Sequence, residues 1–444
     1  MKRALDFKKT GALPLLGIAI LSVLLFGAVE AWSFAIVGGL TVLLFNIAIY
    51  RDEGIAIAKE NKWASFMTWA AAGFLLLCLL QIVPIPLRIF KALSPAGYEI
   101  MSRLSTGRCG WLSISISRFD TLYGFLKFTV YVMIFLISFS AARDGDGMDL
   151  LLSGLSGFGF LLAVFALVQN SAWNGRIYWF RDLTQGGSPF GPFVNRNHFA
   201  GFEGMVVPLG LGIALEKAKM EKLLFYFFMP VVTGVGIFFS LSRGGIISFL
   251  LSIMCFLAFA ASGRFRGKAF FYVLLFLTAV LSYLLYLGVS PVIDRFAADG
   301  LSGESRLPVW EAAFREFLDF KWFGTGIGTF HDIFPVFNPG SRQLFYYAHN
   351  DYLNLLLETG LAGAFLAGMF VLSLAVMTAG CYSRRKRPYI LAGLASSVFY
   401  MMVHSFFDFN LHIPSNAITF SVILGALAGF STGKNGGAVN GRVY

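Results

Sequence analysis

About twelve apolar runs of near-spanning length punctuate this chain, near 12–29, 32–50, 64–83, 121–142, 148–170, 197–215, 223–241, 246–261, 270–289, 352–379, 390–406 and 416–431. A helix needs about 20 apolar residues to cross the hydrocarbon of a bilayer, and only helices and closed barrels satisfy their backbone there. The runs therefore predict an all-α integral membrane protein of about twelve transmembrane helices, one polytopic domain over 1–444.

Composition agrees. Hydrophobic residues make up 57% of the chain and charged ones only 13%, with a mean hydropathy of +0.72. A net charge of +11 would suit nucleic acid, but the basic residues sit between apolar runs and not on one soluble face. Cytoplasmic loops rich in Lys and Arg explain them better. Lys2, Arg3, Lys8 and Lys9, then Lys217, Lys219 and Lys222, then Arg264, Arg266 and Lys268, then Arg384, Arg385, Lys386 and Arg387 all fall on one side when twelve spans are threaded. Both termini are then cytoplasmic, and the longer connections 84–120, 171–196 and 290–350 lie outside, in the periplasm for a bacterial inner-membrane protein. The basic start leading into 11–29 has the look of a signal peptide, but further spans follow at once and an uncleaved first helix is expected. Of the four cysteines only Cys109 falls in an outer segment, so no intramolecular disulfide is expected, and no Cys/His spacing suggests zinc.

The outer loop 290–350 exceeds the length at which loops usually carry function. Pro308 near a helix start and Trp310, Ala313, Phe314 and Phe317 at helical spacing predict a short amphipathic helix, with Arg315, Glu316 and Asp319 on its other face. The Gly-rich segment 432–444 is expected to be a mobile cytoplasmic tail.

Polar chemistry gathers where this loop enters the next apolar run, in Ala348-His349-Asn350-Asp351-Tyr352-Leu353-Asn354, continuing to Leu357-Glu358-Thr359-Gly360. His349 would sit at a helix N-terminus, where the dipole favours a neutral imidazole able to accept a proton. That suits a general base. The bland alternative is a cap formed by Asn350 or Asp351, with His349 only at the interface. Glu358, nine residues on, falls on the opposite face and roughly 13 Å deeper, so it cannot orient His349 within one straight helix. Arg243, in Ser240-Leu241-Ser242-Arg243-Gly244-Gly245, lies in a tight outer turn against the positive-inside tendency. It could bind phosphate in bidentate fashion or pair with a lipid headgroup. Arg306, before Pro308, could add a second charge for a diphosphate or be an exposed loop arginine. Asn195 and Asn197 in Asn195-Arg196-Asn197-His198 open another run at the outer face, and Tyr347 beside His349 could stack on sugar or belong to an aromatic belt.

Other patterns carry less. Gly324-Thr-Gly-Ile-Gly-Thr has the wrong spacing for a dinucleotide fingerprint and no βαβ context. Asp144-Gly145-Asp146 has the spacing of a metal-binding pair but sits in a short cytoplasmic turn.

Taken together, the Arg243 turn, Arg306 with Trp310, Gly324–Phe330 and above all His349-Asn-Asp-Tyr-Leu-Asn-Leu-Leu-Leu-Glu358-Thr-Gly360 resemble the O-antigen ligase and polymerase superfamily of bacterial membrane proteins. The similarity runs from about 190 to 380. It implies a glycosyltransferase C-like helical fold with a large periplasmic loop. It also implies a glycan donor on undecaprenyl diphosphate, and a hydroxyl of a carbohydrate or protein as acceptor. No cofactor, no nucleotide and no metal are implied. His349 is then the catalytic base, Arg243 and Arg306 hold the diphosphate, Asn195, Asn197, Asn350 and Tyr347 line the cleft, and Glu358 and Gly360 are structural.

Within that superfamily the expectation is a ligase transferring glycan to lipid A–core, metal-independent and inverting. An O-antigen or exopolysaccharide polymerase is the alternative. The lack of a large extra C-terminal domain points away from a protein O-oligosaccharyltransferase. A polysaccharide transporter is the rival of another class. It would carry more charge within its spans than Lys127, Glu203 and Glu358, the clearest intramembrane candidates.

Overall fold

The fold is that of a computed structural model. It describes residues 7–50, 61–104, 110–183, 187–217, 220–260, 266–288, 292–294, 306–338, 345–383 and 387–433. Every apolar run of the sequence carries a helix within a few residues of its expected bounds. In chain order these are α1 (Phe7–Leu24), α2 (Ala31–Tyr50) and α3 (Lys62–Ile82), then, after the short α4 (Leu87–Leu93) and α5 (Pro95–Leu104), α6 (Arg118–Ala142) and α7 (Gly145–Ser171). They continue with α8 (Arg196–Lys217), α9 (Met220–Phe239), α10 (Arg243–Ala260) and α11 (Arg266–Leu287). After α12 (Leu307–Asp319) and α13 (Phe330–Phe337) come α14 (Asp351–Tyr382), α15 (Pro388–His404) and α16 (Pro414–Thr432). Among the described residues, 8 helices are long and apolar enough to cross a membrane, and shorter apolar helices cover Gly11–Leu24, Phe225–Phe239, Phe270–Tyr286 and Pro388–His404.

Small residues set the closest helix contacts. In α16, Gly425 and Gly429 rest on the backbone of α6, where an added Cβ would lie 2.5 Å from the carbonyl oxygens of Phe135 and Phe139. Between α8 and α15, Gly212 rests on Tyr389 O and Gly393 on Pro208 O in the same way. Helices in lipid gain little from apolar burial against one another, so close backbone approach and dispersion supply the cohesion. α8 is enclosed on all sides, with its whole apolar window buried, and forms the centre of the bundle.

One end of the bundle is elaborated. Ile85–Pro86 and Trp111–Leu112 pair as a two-residue antiparallel ribbon around α4 and α5. Nearby, α14 is broken at Gly360, whose φ of +64° and ψ of −166° leave the helix. The break frees backbone groups that the loop 321–328 takes up. Thr325 N–H donates to Leu357 O and Gly326 N–H to Glu358 O, both at 3.0 Å, while Leu361 N–H donates to Lys321 O at 2.7 Å. Gly324, Gly326 and Gly328 all have positive φ, and a side chain on Gly324 would overlap the backbone of Glu358. Gln81 of α3 closes the junction, donating to Phe323 O at 2.7 Å and Glu358 O at 2.8 Å and accepting from Ile327 N–H at 3.2 Å. The glycine run is therefore a clasp around the Glu358–Gly360 kink. Glu358 itself accepts from Phe330 N–H at 3.2 Å and is buried.

The amphipathic helix expected in the long loop is α12, but its buried face is rotated. Val309, Ala313, Glu316 and Phe317 are buried, whereas Phe314 is 48% exposed. Glu316, expected on the polar face, is only 2% exposed and accepts from Asn338 Nδ2 at 2.7 Å. The outward face keeps the Arg315–Glu311 pair. The rest of the loop, 295–305 and 339–344, lies outside the described residues, as do Cys109, most of the basic turns and the tail beyond 433. Cys78 and Cys255 are free thiols. In the turn at Asp144, the carboxylate caps α7 through Gly147 N–H at 3.3 Å.

Candidate active site

Each polar side chain of the segment 348–354 has a separate task. Asn350 is the N-cap of α14, accepting from Tyr352 N–H at 3.0 Å and Leu353 N–H at 3.2 Å. Asp351 holds the connection between α15 and α16, accepting from Ser405 Oγ at 2.8 Å and Leu411 N–H at 3.1 Å and contacting His412 Nδ1 at 2.8 Å. Asn354 accepts from Ala348 N–H at 2.7 Å, and Tyr352 donates to Met402 O at 2.6 Å. His349 is left over. Its φ of +52° turns the chain just ahead of the cap, and its ring is presented into a cavity with its side chain 30% exposed.

That cavity, about 230 Å³, is lined by polar groups from five separate stretches of chain. Asn195, Arg196 and Asn197 come from the start of α8, and Arg243 from the start of α10. Arg306 comes from just before α12, His349 from just before α14, His404 from the last turn of α15 and Asp408 from the loop after it. The sequence-level candidates Arg243, Arg306, His349, Asn195 and Asn197 are thus brought together from positions up to about 150 residues apart. Asn350 and Tyr347 are not. Asn350 is committed to its cap, and Tyr347 stacks on Phe409 at 4.6 Å and against His412 at 4.5 Å. Phe409 in turn meets the His349 ring edge-on at 4.8 Å, so Tyr347 supports His349 from behind and does not line the cleft.

Asp408 was not singled out by sequence reasoning. It lies in His404-Ser-Phe-Phe-Asp408, where aromatic neighbours hide a polar element. Its side chain is 1% exposed, and Oδ1 lies 3.2 Å from His349 Nδ1 and accepts from Phe409 N–H at 2.9 Å. Burial alone would raise its pKa. The hydrogen bond from His349 and the charges of His198, His349 and Arg306 outweigh that, and the carboxyl is held well below the usual carboxylate range. An ionised carboxylate can only accept, so Nδ1 of His349 carries hydrogen, and in the neutral ring Nε2 is the nitrogen that holds the lone pair. This is the arrangement a general base needs.

The cations are anchored too. Arg306 donates through a terminal nitrogen to Phe407 O, one residue from Asp408. The turn before α10 is fixed by a positive φ at Leu241 and by Ser242 Oγ accepting from Gly245 N–H at 3.2 Å. Arg243 stands in the first turn of α10, where free amides and the helix dipole favour anions.

A second, apolar cavity of about 240 Å³ is lined in part by Asp351 and Ser405, close in sequence to His349 and His404. It runs among α6, α14 and α15 past Leu355, Phe370 and Leu374, with Lys127, Asp351, Glu358 and His412 on its wall. It shares Val371, Leu374, Val398 and Met402 with a further apolar cavity of about 590 Å³ that continues along α14 to Ser383. A separate trio, Asp120, His331 and Asp332, brings one possible ligand atom from each within 4.8 Å of the others. Burial and the neighbouring Asp120 raise the Asp332 carboxyl although His331 acts the other way, as in a carboxyl pair that shares a proton. None of the three lines the cationic cavity.

Fold and site define a multi-pass membrane protein with a half-buried, arginine-rich cavity and an aspartate-paired histidine at one end of its helical bundle. Residues 228–368 match the family model of the O-antigen ligases, Wzy_C, which supports the resemblance to the O-antigen ligase and polymerase superfamily. The family implies glycosyltransferase-like ligase or polymerase activity, with a lipid-linked glycan and an acceptor as substrates. The matched segment holds Arg243, Arg306, His349, Glu358 and Gly360, and ends before His404 and Asp408. No curated protein matches the chain.

Proposed function

We propose that this protein is an O-antigen ligase-type glycosyltransferase. It moves a glycan from undecaprenyl diphosphate to a hydroxyl of a carbohydrate acceptor, lipid A–core, at the periplasmic face of the bacterial inner membrane. The observation that carries this reading is the shared cavity of Arg243, Arg306, His349 and Asp408.

Arg243 and Arg306 bind the diphosphate and stabilise the charge that grows on it as the glycosidic bond breaks, the task a divalent metal performs elsewhere. His349, held by Asp408, takes the acceptor proton on Nε2. The acceptor oxygen bonds to the anomeric carbon opposite the departing diphosphate, so configuration inverts and undecaprenyl diphosphate leaves as an anion. The apolar cavities along α14 give a polyisoprenoid tail a place beside the site.

The test is complementation. A strain lacking its own ligase is given this chain or His349→Ala, and its lipopolysaccharide is resolved on a gel. Restored long-chain lipopolysaccharide, lost again in His349→Ala at equal protein level, is the expected result. Activity that persists in His349→Ala would remove the base assignment. Failure to restore in strains with different cores, with rescue of a polymerase-deficient strain instead, would replace ligase by polymerase.

A further inference from the structure

His404 ends α15 on the wall of the cationic cavity, yet the mechanism above gives it no task. The residue is 1% exposed, and its Nε2 has no hydrogen-bond partner among the described residues. A buried, unsatisfied polar atom in a packed protein is costly and needs an explanation. The Cδ2–Nε2 edge faces the start of α10: a Cβ on Gly244, next to Arg243, would lie 3.5 Å from His404 Cδ2.

The other edge fixes the tautomer. Tyr400 donates its one hydroxyl hydrogen to Ala200 O at 2.6 Å. Its contact with His404 Nδ1, 3.1 Å, is therefore a bond only if Nδ1 carries hydrogen. Asn410 Nδ2 also faces Nδ1 at 3.3 Å, a longer contact between two donors in that arrangement. Nε2 then holds an unpartnered lone pair on a side chain that lines the cavity together with three arginines. A lone pair would repel a phosphate oxygen there, whereas an N–H would bind it.

Resting on the reading of this cavity as a diphosphate site, we infer that His404 is a third diphosphate ligand, neutral when the cavity is empty and protonated at Nε2 when the diphosphate is bound. The surroundings supply the switch. The groups around it are Arg196 and His198 on α8, Arg243 on α10, Arg306 before α12, His349 and Asp408 in the adjoining loops, and Tyr400 on its own helix, with Glu203 of α8 near Tyr400. With the cavity empty, burial, His198 and Arg306 oppose a positive charge on the ring, although Asp408 favours one. A bound diphosphate reverses the local field and favours the imidazolium, so binding takes up one proton from solvent.

The experiment is calorimetric titration of geranyl diphosphate into the purified protein in nanodiscs, repeated in buffers of different ionisation enthalpy to count protons. Wild type is expected to take up about one proton more than His404→Gln. Gln keeps an N–H donor near the Nε2 position but cannot titrate, so its affinity should stay within about tenfold. Arg243→Ala is expected to lose binding in both backgrounds. No proton uptake by wild type overturns the inference whatever the variant does, including if the variant does not fold. Equal uptake in wild type and His404→Gln places the proton elsewhere and also overturns it. If wild type does not bind, or Arg243→Ala binds as wild type does, the diphosphate reading of the cavity itself is lost.

Discussion

Nδ1 of His349 lies 3.2 Å from Oδ1 of Asp408, although 59 residues separate them in the chain. The pair joins the entry to α14 with the exit from α15, and it decides which ring nitrogen of His349 is free to act. Asp408→Asn keeps the shape but can offer an N–H where an acceptor is needed, and so favours the wrong tautomer. Transfer activity is expected to fall by about 10²- to 10⁴-fold with little change in acceptor KM. An Asp408→Asn protein with near-normal turnover would show that the carboxylate does not orient the base.

The two arginines are argued to act through planar, bidentate geometry and not through charge alone. Lysine in place of Arg243 or Arg306 preserves charge and loses the fork. Each Arg→Lys variant is expected to lose about 10-fold or more in kcat/KM for the lipid-linked donor, and each Arg→Ala about 10²-fold or more, measured as donor consumption. Full activity in Arg306→Lys would reduce that residue to a general positive field.

Gly360 is required by the backbone. Its φ is +64°, and any side chain would overlap the backbone of Trp322 and Phe323. Gly360→Ala combines a disfavoured conformation with a clash at the clasp around Glu358, and is expected to lower the apparent Tm in detergent by at least about 4 °C. Thermal scans of purified variants check this, and an unchanged Tm would mean that the kink is not structural.

Glu316 in α12 makes stability depend on pH. Burial, opposed in part by the Asn338 hydrogen bond and reinforced by Asp319, pushes its carboxyl up to about 8 from an ordinary 4.5. The folded state then binds a proton that the unfolded state has lost between those values, so stability falls as pH rises from about 4.5 through about 8. Glu316→Gln removes the titration. The variant should show a flatter Tm profile across that window and higher Tm than wild type at pH 8.5. Parallel profiles for the two proteins would show that Glu316 does not titrate in this range.

Much of this arrangement was legible in the sequence because membrane solvation is written in long stretches. Twelve apolar runs become helices because twenty apolar residues in lipid have few other options. Arg243, Arg306 and His349 were visible as polar groups out of place at the ends of such runs. What stayed hidden depends on distant partners. Glu316 reads as a surface carboxylate until it is seen buried, with Asn338 bonded to its Oε1. The glycine run 324–328 has no meaning until Gln81 and the broken helix at Gly360 meet it. Asp408 was masked by Phe406, Phe407 and Phe409, although His404, Asp408 and His412 recur at four-residue spacing there and offered a signal. Tyr347 and Asn350 sit close to His349 in sequence and still face away from the cavity, because a turn at His349 separates neighbours that a straight chain would align.

The most direct test of the central claim is made on purified protein in nanodiscs, supplied with undecaprenyl diphosphate-linked glycan and lipid A–core. Release of undecaprenyl diphosphate is followed together with formation of glycosylated acceptor. The account predicts that wild type forms both in equal amounts. His349→Ala and Asp408→Asn, folded and still binding the donor, should form almost none, and Arg243→Ala should fail at donor binding. Equal product from wild type and His349→Ala, or glycan movement across a sealed bilayer with no new glycosidic bond, would contradict it.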